Sequence, residues 1–206
     1  MYRKYIKRFL DISLSLIGIV ITSPIMLIVA ILVKTKLGSP ILFKQERAGK
    51  HGEIFTVFKF RSMTNETDES GELLPNKERL TKFSKFLRTT SMDELPELFN
   101  ILNGEMSIIG PRPLLVEYLP RYSDEQMKRH NVRPGLTSLT AVNGRASLSW
   151  AERLDMDVWY VNNVTFALDL KIIFKTVLTV FKRENIHSDR GKFMGVNESN
   201  EDNEYE

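Results

Sequence analysis

The chain has no cysteine in 206 residues. That excludes disulfides, thiolate nucleophiles and cysteine-ligated zinc or iron–sulfur centres, and it is compatible with a reducing cytoplasm. Histidine is scarce as well. His51, His130 and His187 are the three present, and no two of them have metal-ligand spacing, which argues against a histidine-built zinc site. No Walker loop or dinucleotide-binding glycine fingerprint occurs. No G-x-S-x-G elbow for a serine nucleophile occurs either.

Charge is missing from one long stretch. Ile12 to Val33 spans 22 residues rich in Ile, Leu and Val without an ionisable side chain, enough to cross a bilayer as a helix. It is longer than the apolar core of a signal peptide, and no Ala-x-Ala site follows it. Thr22-Ser23-Pro24 interrupts its middle. Proline removes a backbone donor and clashes with the preceding turn, so the sequence predicts a break at Ser23-Pro24, with the neighbouring hydroxyls bonding the freed carbonyls. Arg3, Lys4, Lys7 and Arg8 precede the stretch and Lys34, Lys36, Lys44 and Arg47 follow it. Positive charge favours the cytoplasmic side. A helix–break–helix that enters and leaves by one face satisfies that rule at both ends; a spanning helix satisfies it at one. Both readings stand on this segment alone.

Charge elsewhere is unbalanced. The last ten residues hold five acids and no base, and the first 196 hold 29 bases against 21 acids, a balance of +8. A basic body points to anionic partners. No nucleic-acid-binding motif accompanies it, so nucleic acid is not an expected partner. Residues 188–206 read as an acidic, solvated tail.

Between these ends the pattern is α+β. ILFKQ and EIFTVFKF, joined across Gly49 to Gly52, predict a β-hairpin over Ile41 to Arg61. Residues 64–76 read as a loop. Helices are expected over Glu78 to Arg88, from Asp93 to Leu102, over Asp124 to Val132 and over Leu168 to Phe181. The last has an apolar face with Lys171, Lys175 and Lys182 beside it, which suits an interfacial helix with snorkelling lysines or a core-packed surface helix equally. The expected organisation is a membrane anchor over 1–36, a small, mostly helical cytosolic domain over 37–187, and the tail.

Asp93-Glu94-Leu95-Pro96 carries the candidate chemistry. If Asp93 caps the helix, Pro96 falls at a position whose missing N–H costs nothing, and Asp93 is explained as a cap alone. The same geometry suits a carboxylate nucleophile, because a helix N-terminus attracts phosphate and favours an ionised carboxylate. Asp93 and Glu94 together could hold Mg²⁺, which binds one or two carboxylates plus substrate phosphates. Lys59, Arg61, Arg88, Arg112, Arg129, His130, Arg133 and Arg145 are the candidate phosphate-binding residues, many of them beside Pro or Gly.

KFRSM (Lys59–Met63), SMDELPELFNIL (Ser91–Leu102), MSIIGPRPLLVEYLP (Met106–Pro120), RHNVRPGLT (Arg129–Thr137) and VNGR (Val142–Arg145) together resemble the bacterial sugar transferase family. The likeness covers Met1 to Lys182 and is to the family's small, monotopic phosphoglycosyl transferases. It is strongest to the undecaprenyl-phosphate diacetylbacillosamine phosphotransferases of bacterial N-linked glycosylation. The resemblance implies a re-entrant helix broken at Ser23-Pro24 and an active site on the cytoplasmic face of the bacterial inner membrane. It implies a UDP-sugar donor, a polyprenyl phosphate acceptor and a Mg²⁺ requirement. It also implies a ping-pong route through a phosphosugar–aspartyl intermediate on Asp93, with Glu94 helping to bind the metal and Arg112 and Arg145 in the phosphate-binding set. Downstream glycosyltransferases are conceivable partners. A catalytically silent scaffold for glycan-assembly enzymes is the alternative. The family pattern departs at Ser138, Thr140 and Ala141, where Gly and Ala-Gln are usual, and this leaves the donor sugar open.

Overall fold

A computed structural model of the chain describes residues 1–144 and 148–182. The expected acidic tail lies outside them. The described part is α+β, with an N-terminal apolar helix and a small globular body of short helices and two small sheets.

After a π-helical turn, Tyr2–Ile6, α1 runs over Lys7–Lys36 without interruption. The break expected at Ser23-Pro24 is therefore not a break in the helix. The reason is local. Pro24 cannot donate to the carbonyl of Val20, four residues back, and the Ser23 hydroxyl donates to that carbonyl instead, at 2.9 Å. The Thr22 hydroxyl donates to Gly18 at 2.7 Å. The helix over Tyr2–Lys36 holds an 18-residue stretch with a mean hydropathy of 2.8, long and apolar enough to cross a membrane by length and composition, and only 11% of that stretch is buried. A core helix would be mostly buried, and this one is not; its composition points to a membrane.

Burial in α1 concentrates at its ends. Near the N-terminus, Lys7 pairs with Asp169 at 2.6 Å, and Asp11 accepts from the Ser107 hydroxyl at 2.9 Å and the Ile108 N–H at 3.0 Å. At the C-terminal end, Val29, Val33 and Leu37 pack with Phe60 and Leu87. Between them, side chains such as Val20 and Ile21 are two-thirds exposed.

The predicted hairpin is present. β1 (Leu42–Ala48) pairs antiparallel with β2 (Ile54–Phe60), from Leu42 opposite Phe60 to Ala48 opposite Ile54. His51 and Gly52 take positive φ in the turn, which glycine tolerates freely and histidine visits occasionally. α2 (Lys82–Thr89) starts later than the expected Glu78, because Thr81 and Ser84 form a reciprocal capping box there.

The segment around Asp93 differs from expectation. Met92–Glu94 is a separate 3₁₀ turn whose first flanking residue, Ser91, is left-handed at φ 54. α3 follows over Glu97–Asn103, with Pro96 at its cap position. Asp93 is thus not the cap of α3. Two short helical pieces replace one, and the carboxylate stays available.

β3 (Ser107–Ile109) and β4 (Gly135–Thr137) form a short parallel pair that the sequence reading did not anticipate. The two motif glycines explain it. A Cβ on Gly110 would lie 2.3 Å from the Arg133 carbonyl, and one on Gly135 would lie 2.1 Å from the Gly110 nitrogen. Only glycine at both positions lets the GPRP and RPG backbones touch.

The expected helix over Asp124 to Val132 appears as α4 (Asp124–Met127) followed by a 3₁₀ turn, Lys128–Asn131. The remaining helices are α5 (Leu139–Val142), α6 (Trp150–Asn162) and α7 (Phe166–Lys182). α6 escaped the sequence reading. Its signals were present: a Ser149–Glu152 capping box, then Leu154, Val158 and Val161 on one buried face. α7 meets both of its open readings. Asp169 and Ile172 are buried against the body, while Phe166, Leu170 and Phe174 are more than half exposed.

Candidate active site

Asp93 lies at the edge of a cleft of about 1020 Å³ that the hairpin, the 62–80 loop, the 3₁₀ turn, the GPRP loop and the β4–α5 corner enclose together. Asn100 positions two of these walls. Its side chain, fully buried, accepts from Phe58 N–H at 3.1 Å and donates to Thr56 O and Glu105 at 2.7 Å each. That ties β2 to α3, and so Lys59 to the acidic turn.

Lys59 Nζ contacts Glu94 at 2.7 Å and Glu97 at 2.9 Å, and Arg112 Nη2 contacts the same Glu94 oxygen at 2.8 Å. Burial works to raise the Glu94 pKa, but Arg112 and Lys59 outweigh it and hold the carboxyl well below the usual range. Glu97 is shifted the other way, by burial and by Glu94 against the pull of Lys59. Asp93 is pushed up to about 6, first by burial and then by Glu94, with Lys59 and Arg88 opposing. The ionised Asp93 expected of a helix start is thus opposed by its surroundings. Burial and a like-charged neighbour dominate, yet the group is still largely ionised above neutral pH.

The expected cations divide. Lys59, Arg61, Arg88, Arg112 and Arg129 line the cleft with Asp93 and Glu94. Arg88 Nε donates to the Ser62 hydroxyl at 2.9 Å. Arg129 is 2% exposed and pairs with Asp157 at 2.7 Å, and it also donates to the Arg112 carbonyl at 2.7 Å. It steadies the Arg112 backbone more than it presents a free charge. Arg133 does not line the cleft; its Nε donates to Gly104 O at 2.6 Å, closing the C-terminus of α3 together with Arg8, which donates to Ile101 O and Leu102 O at 2.7 and 2.9 Å. Arg145 lies outside the described residues.

His130 is a correction as well. It is 4% exposed, away from the cleft lining, and its Nδ1 donates to Gly49 O at 2.9 Å. Burial, then Arg129, pushes its pKa down to about 4 against the Gly49 bond. It is therefore a neutral buttress of the hairpin turn rather than a phosphate contact. The sign of its linkage is clear. Unfolded, it takes a proton near pH 6.5; folded, it resists until about 4. Stability is complete above about 6.5 and falls as the pH drops, by about 1.4 kcal/mol per unit. Unfolding in detergent between pH 7.5 and 5.5 is expected to show this slope, and His130→Asn is expected to flatten it. An equal slope in the variant rejects the assignment.

Glu97, Asn100 and Asp157 were not singled out from the sequence. Glu97 and Asn100 sit within the SMDELPELFNIL motif at third- and fourth-residue spacing, a legible hint that both share a helix face with Asp93 and Glu94. Asp157 carries no comparable signal.

One corner of the cleft is made of hydroxyls. Ser138 Oγ accepts from Ala141 N–H at 3.0 Å and shares a bond of 2.8 Å with Thr140 Oγ1. Two hydroxyls have two hydrogens, and the mutual bond uses one. The other remains to donate, and both residues line the cleft.

Comparison with known proteins agrees with this arrangement. The model of the bacterial sugar transferase family matches residues 2–183. An uncharacterised sugar transferase of Bacillus subtilis, EpsL, is 48% identical over 181 residues, covering 88% of this chain and 90% of its own. The undecaprenyl-phosphate galactose phosphotransferase of Salmonella typhimurium is 37% identical over 89% of this chain, and the UDP-glucose:undecaprenyl-phosphate glucose-1-phosphate transferase of Klebsiella pneumoniae is 43% identical over 85%. The chain spans 42% and 39% of the length of these last two. With a match across the anchor and the body alike, the chain belongs to the bacterial sugar transferase family and is a phosphoglycosyl transferase.

Proposed function

We propose that the chain moves a sugar 1-phosphate from a UDP-sugar to a membrane polyprenyl phosphate, leaving UMP and a polyprenyl-diphosphate sugar. The observation that carries this is Asp93, a carboxylate in a cationic cleft, beside a glutamate that Lys59 and Arg112 hold ionised. Two relatives named for undecaprenyl phosphate support the acceptor class. In the first step an Asp93 oxygen attacks the β-phosphorus, and the bond from that phosphorus to the oxygen bridging the α-phosphate breaks, so UMP departs. In the second step a polyprenyl phosphate oxygen attacks the same phosphorus and the Asp93 carboxylate is released. Neither step needs an external oxidant or reductant. Arg61, Arg88 and Arg112 would neutralise the phosphates as charge shifts to the leaving oxygen.

Asp93 and Glu94 would hold Mg²⁺. The donor set fits: Asp93 and Glu94 are two hard carboxylates that line the cleft together, and Lys59 and Arg112 both meet a single Glu94 oxygen, Oε1. Magnesium suits such a partial site, since it keeps waters and substrate oxygens. When bound it would supply further charge neutralisation on the diphosphate.

The anchor is proposed to be re-entrant, dipping into the cytoplasmic leaflet of the inner membrane. Docking of both ends of α1 on the same globular body supports this, as does positive charge at both ends. A site held at headgroup depth lets a soluble nucleotide sugar meet a lipid phosphate.

The test is UMP release from the full chain in detergent with Mg²⁺, polyprenyl phosphate and UDP-glucose, UDP-galactose, UDP-N-acetylgalactosamine or UDP-diacetylbacillosamine. Release with one of these donors is expected. No release with any donor, from folded protein, would favour the scaffold. The hydroxyl corner bears on which donor is taken. Thr140→Val keeps the shape and removes a hydroxyl, and it is expected to lower kcat/KM for the preferred donor about tenfold. An unchanged donor ranking and rate would remove Thr140 from donor selection.

A further inference from the structure

A second pocket, of about 270 Å³, lies behind the catalytic cleft. The single turn of α5 separates the two. Ser138, Thr140 and Ala141 face the cleft, and Leu139 and Asn143 face the rear pocket. Its other walls are Trp159 and Leu168, with Lys171 and Lys175 of α7. Among the described residues no carboxylate lines it. The combination is an apolar floor, an aromatic wall and two cations.

Its position relative to the membrane follows from α7. The first turn of α7 is fixed to the start of the anchor: the Tyr2 hydroxyl and Lys7 Nζ both donate to Asp169, at 2.5 and 2.6 Å, and the Tyr2 and Phe166 rings meet edge to face at 5.8 Å. Around α7, the buried face of Asp169 and Ile172 is separated from the exposed face of Phe166, Leu170 and Phe174 by the strip that carries Lys171 and Lys175. Apolar side chains pointing outward, with lysines beside them, suit a helix lying at a bilayer surface, the apolar face in acyl chains and the ammonium groups at headgroup level. Trp159 is half exposed, as tryptophan at an interface commonly is.

We infer that the rear pocket binds the headgroup of an anionic phospholipid of the surrounding bilayer. The two lysines match its phosphate, and the exposed face of α7 runs beside its acyl chains. The acceptor is a poor occupant. A phosphate held there has α5 between it and Asp93. The pocket also touches the cleft wall mechanically. Lys175 Nζ donates to Asn143 Oδ1 at 2.7 Å, and the Thr137 and Thr176 hydroxyls share a bond of 2.8 Å. A lipid phosphate that competes for Lys175 would loosen Asn143, which follows directly on the turn carrying Thr140. The inference rests on the membrane placement proposed above and is independent of the transferase reading.

The full chain would be reconstituted into nanodiscs of phosphatidylcholine with a minority of phosphatidylglycerol, then released and weighed by native mass spectrometry. One retained phosphatidylglycerol per chain is expected. Lys171→Gln with Lys175→Gln is expected to weaken retention roughly tenfold. Lys171→Glu does so without breaking any internal contact, so loss of the fold cannot explain it. Lys82→Gln with Lys85→Gln, on α2, serves as the charge control and retains the lipid. Equal loss in the control, or no loss in either lysine variant, overturns the inference. Displacement of the phosphatidylglycerol by added polyprenyl phosphate overturns it too, since the pocket would then belong to the acceptor. A chain that does not enter nanodiscs at all would instead refute the membrane placement.

Discussion

Asp93→Asn is expected to abolish transfer, by about 10⁴-fold or more, while the protein still folds and stays with the membrane. Loss of a covalent nucleophile costs on that order, because the surrounding cations stabilise a transition state that can no longer form a bond. The substitution keeps size and shape, and Asp93 does not occupy the cap position of α3. The fold should therefore gain slightly, as a partly buried carboxylate with a raised pKa is replaced by a neutral amide. The decisive readout is the intact mass of protein mixed with Mg²⁺ and the active UDP-sugar, without acceptor. Wild type is expected to gain one phosphosugar, and the variant none. An adduct that persists in Asp93→Asn would move the nucleophile elsewhere. Turnover without any adduct in wild type would replace the two-step route by direct transfer.

What could be read from the sequence follows the range of the forces involved. The hairpin was legible because its alternation, its aromatic and β-branched content and the glycines at its turn are local. The N-terminal apolar helix was legible for the same reason, as 22 residues without charge are a local signal. The failures are tertiary, with one local exception. Pro24 predicts a broken helix only if no other donor reaches Val20 O, and the Ser23 hydroxyl does reach it. The β3–β4 pair depends on two glycines 25 residues apart approaching to contact, which neither motif announces alone. His130 and Arg133 stand beside Arg129 in a basic run and looked equivalent to it. Only burial and hydrogen bonding separate a neutral turn buttress and a helix-end clamp from a residue of the cleft. Asp93 is the instructive case. A helix-start pattern matched a cap and a nucleophile alike; the cap reading falls because α3 starts at Glu97 with Pro96 at its cap position, and Asp93 sits in the separate 3₁₀ turn before it.

The second large effect is expected at a buried ion pair behind Arg112. Arg129 and Asp157 are 2% and 4% exposed, joined by Nε and Nη2 to one carboxylate oxygen at 3.1 and 2.7 Å. Asp157→Ala leaves a guanidinium buried without its counter-charge, at a cost of about 3–5 kcal/mol, which thermal unfolding in detergent would report as a large drop in Tm. Replacing the whole pair, Arg129→Met with Asp157→Leu, is expected to recover most of that loss, because an apolar pair fills the space without desolvated charge. Activity is not expected to recover with it. Arg129 Nη2 also donates to the Arg112 carbonyl at 2.7 Å, and Met cannot. Arg112 would lose the donor that fixes its backbone, and with it the alignment of the guanidinium that holds Glu94 at 2.8 Å. The double variant should then be stable but slow in kcat, with KM for the donor little changed if the remaining cations still bind it. If activity returns together with stability, Arg129 serves the fold alone and the positioning of Arg112 comes from the glycine contact between the GPRP and RPG loops.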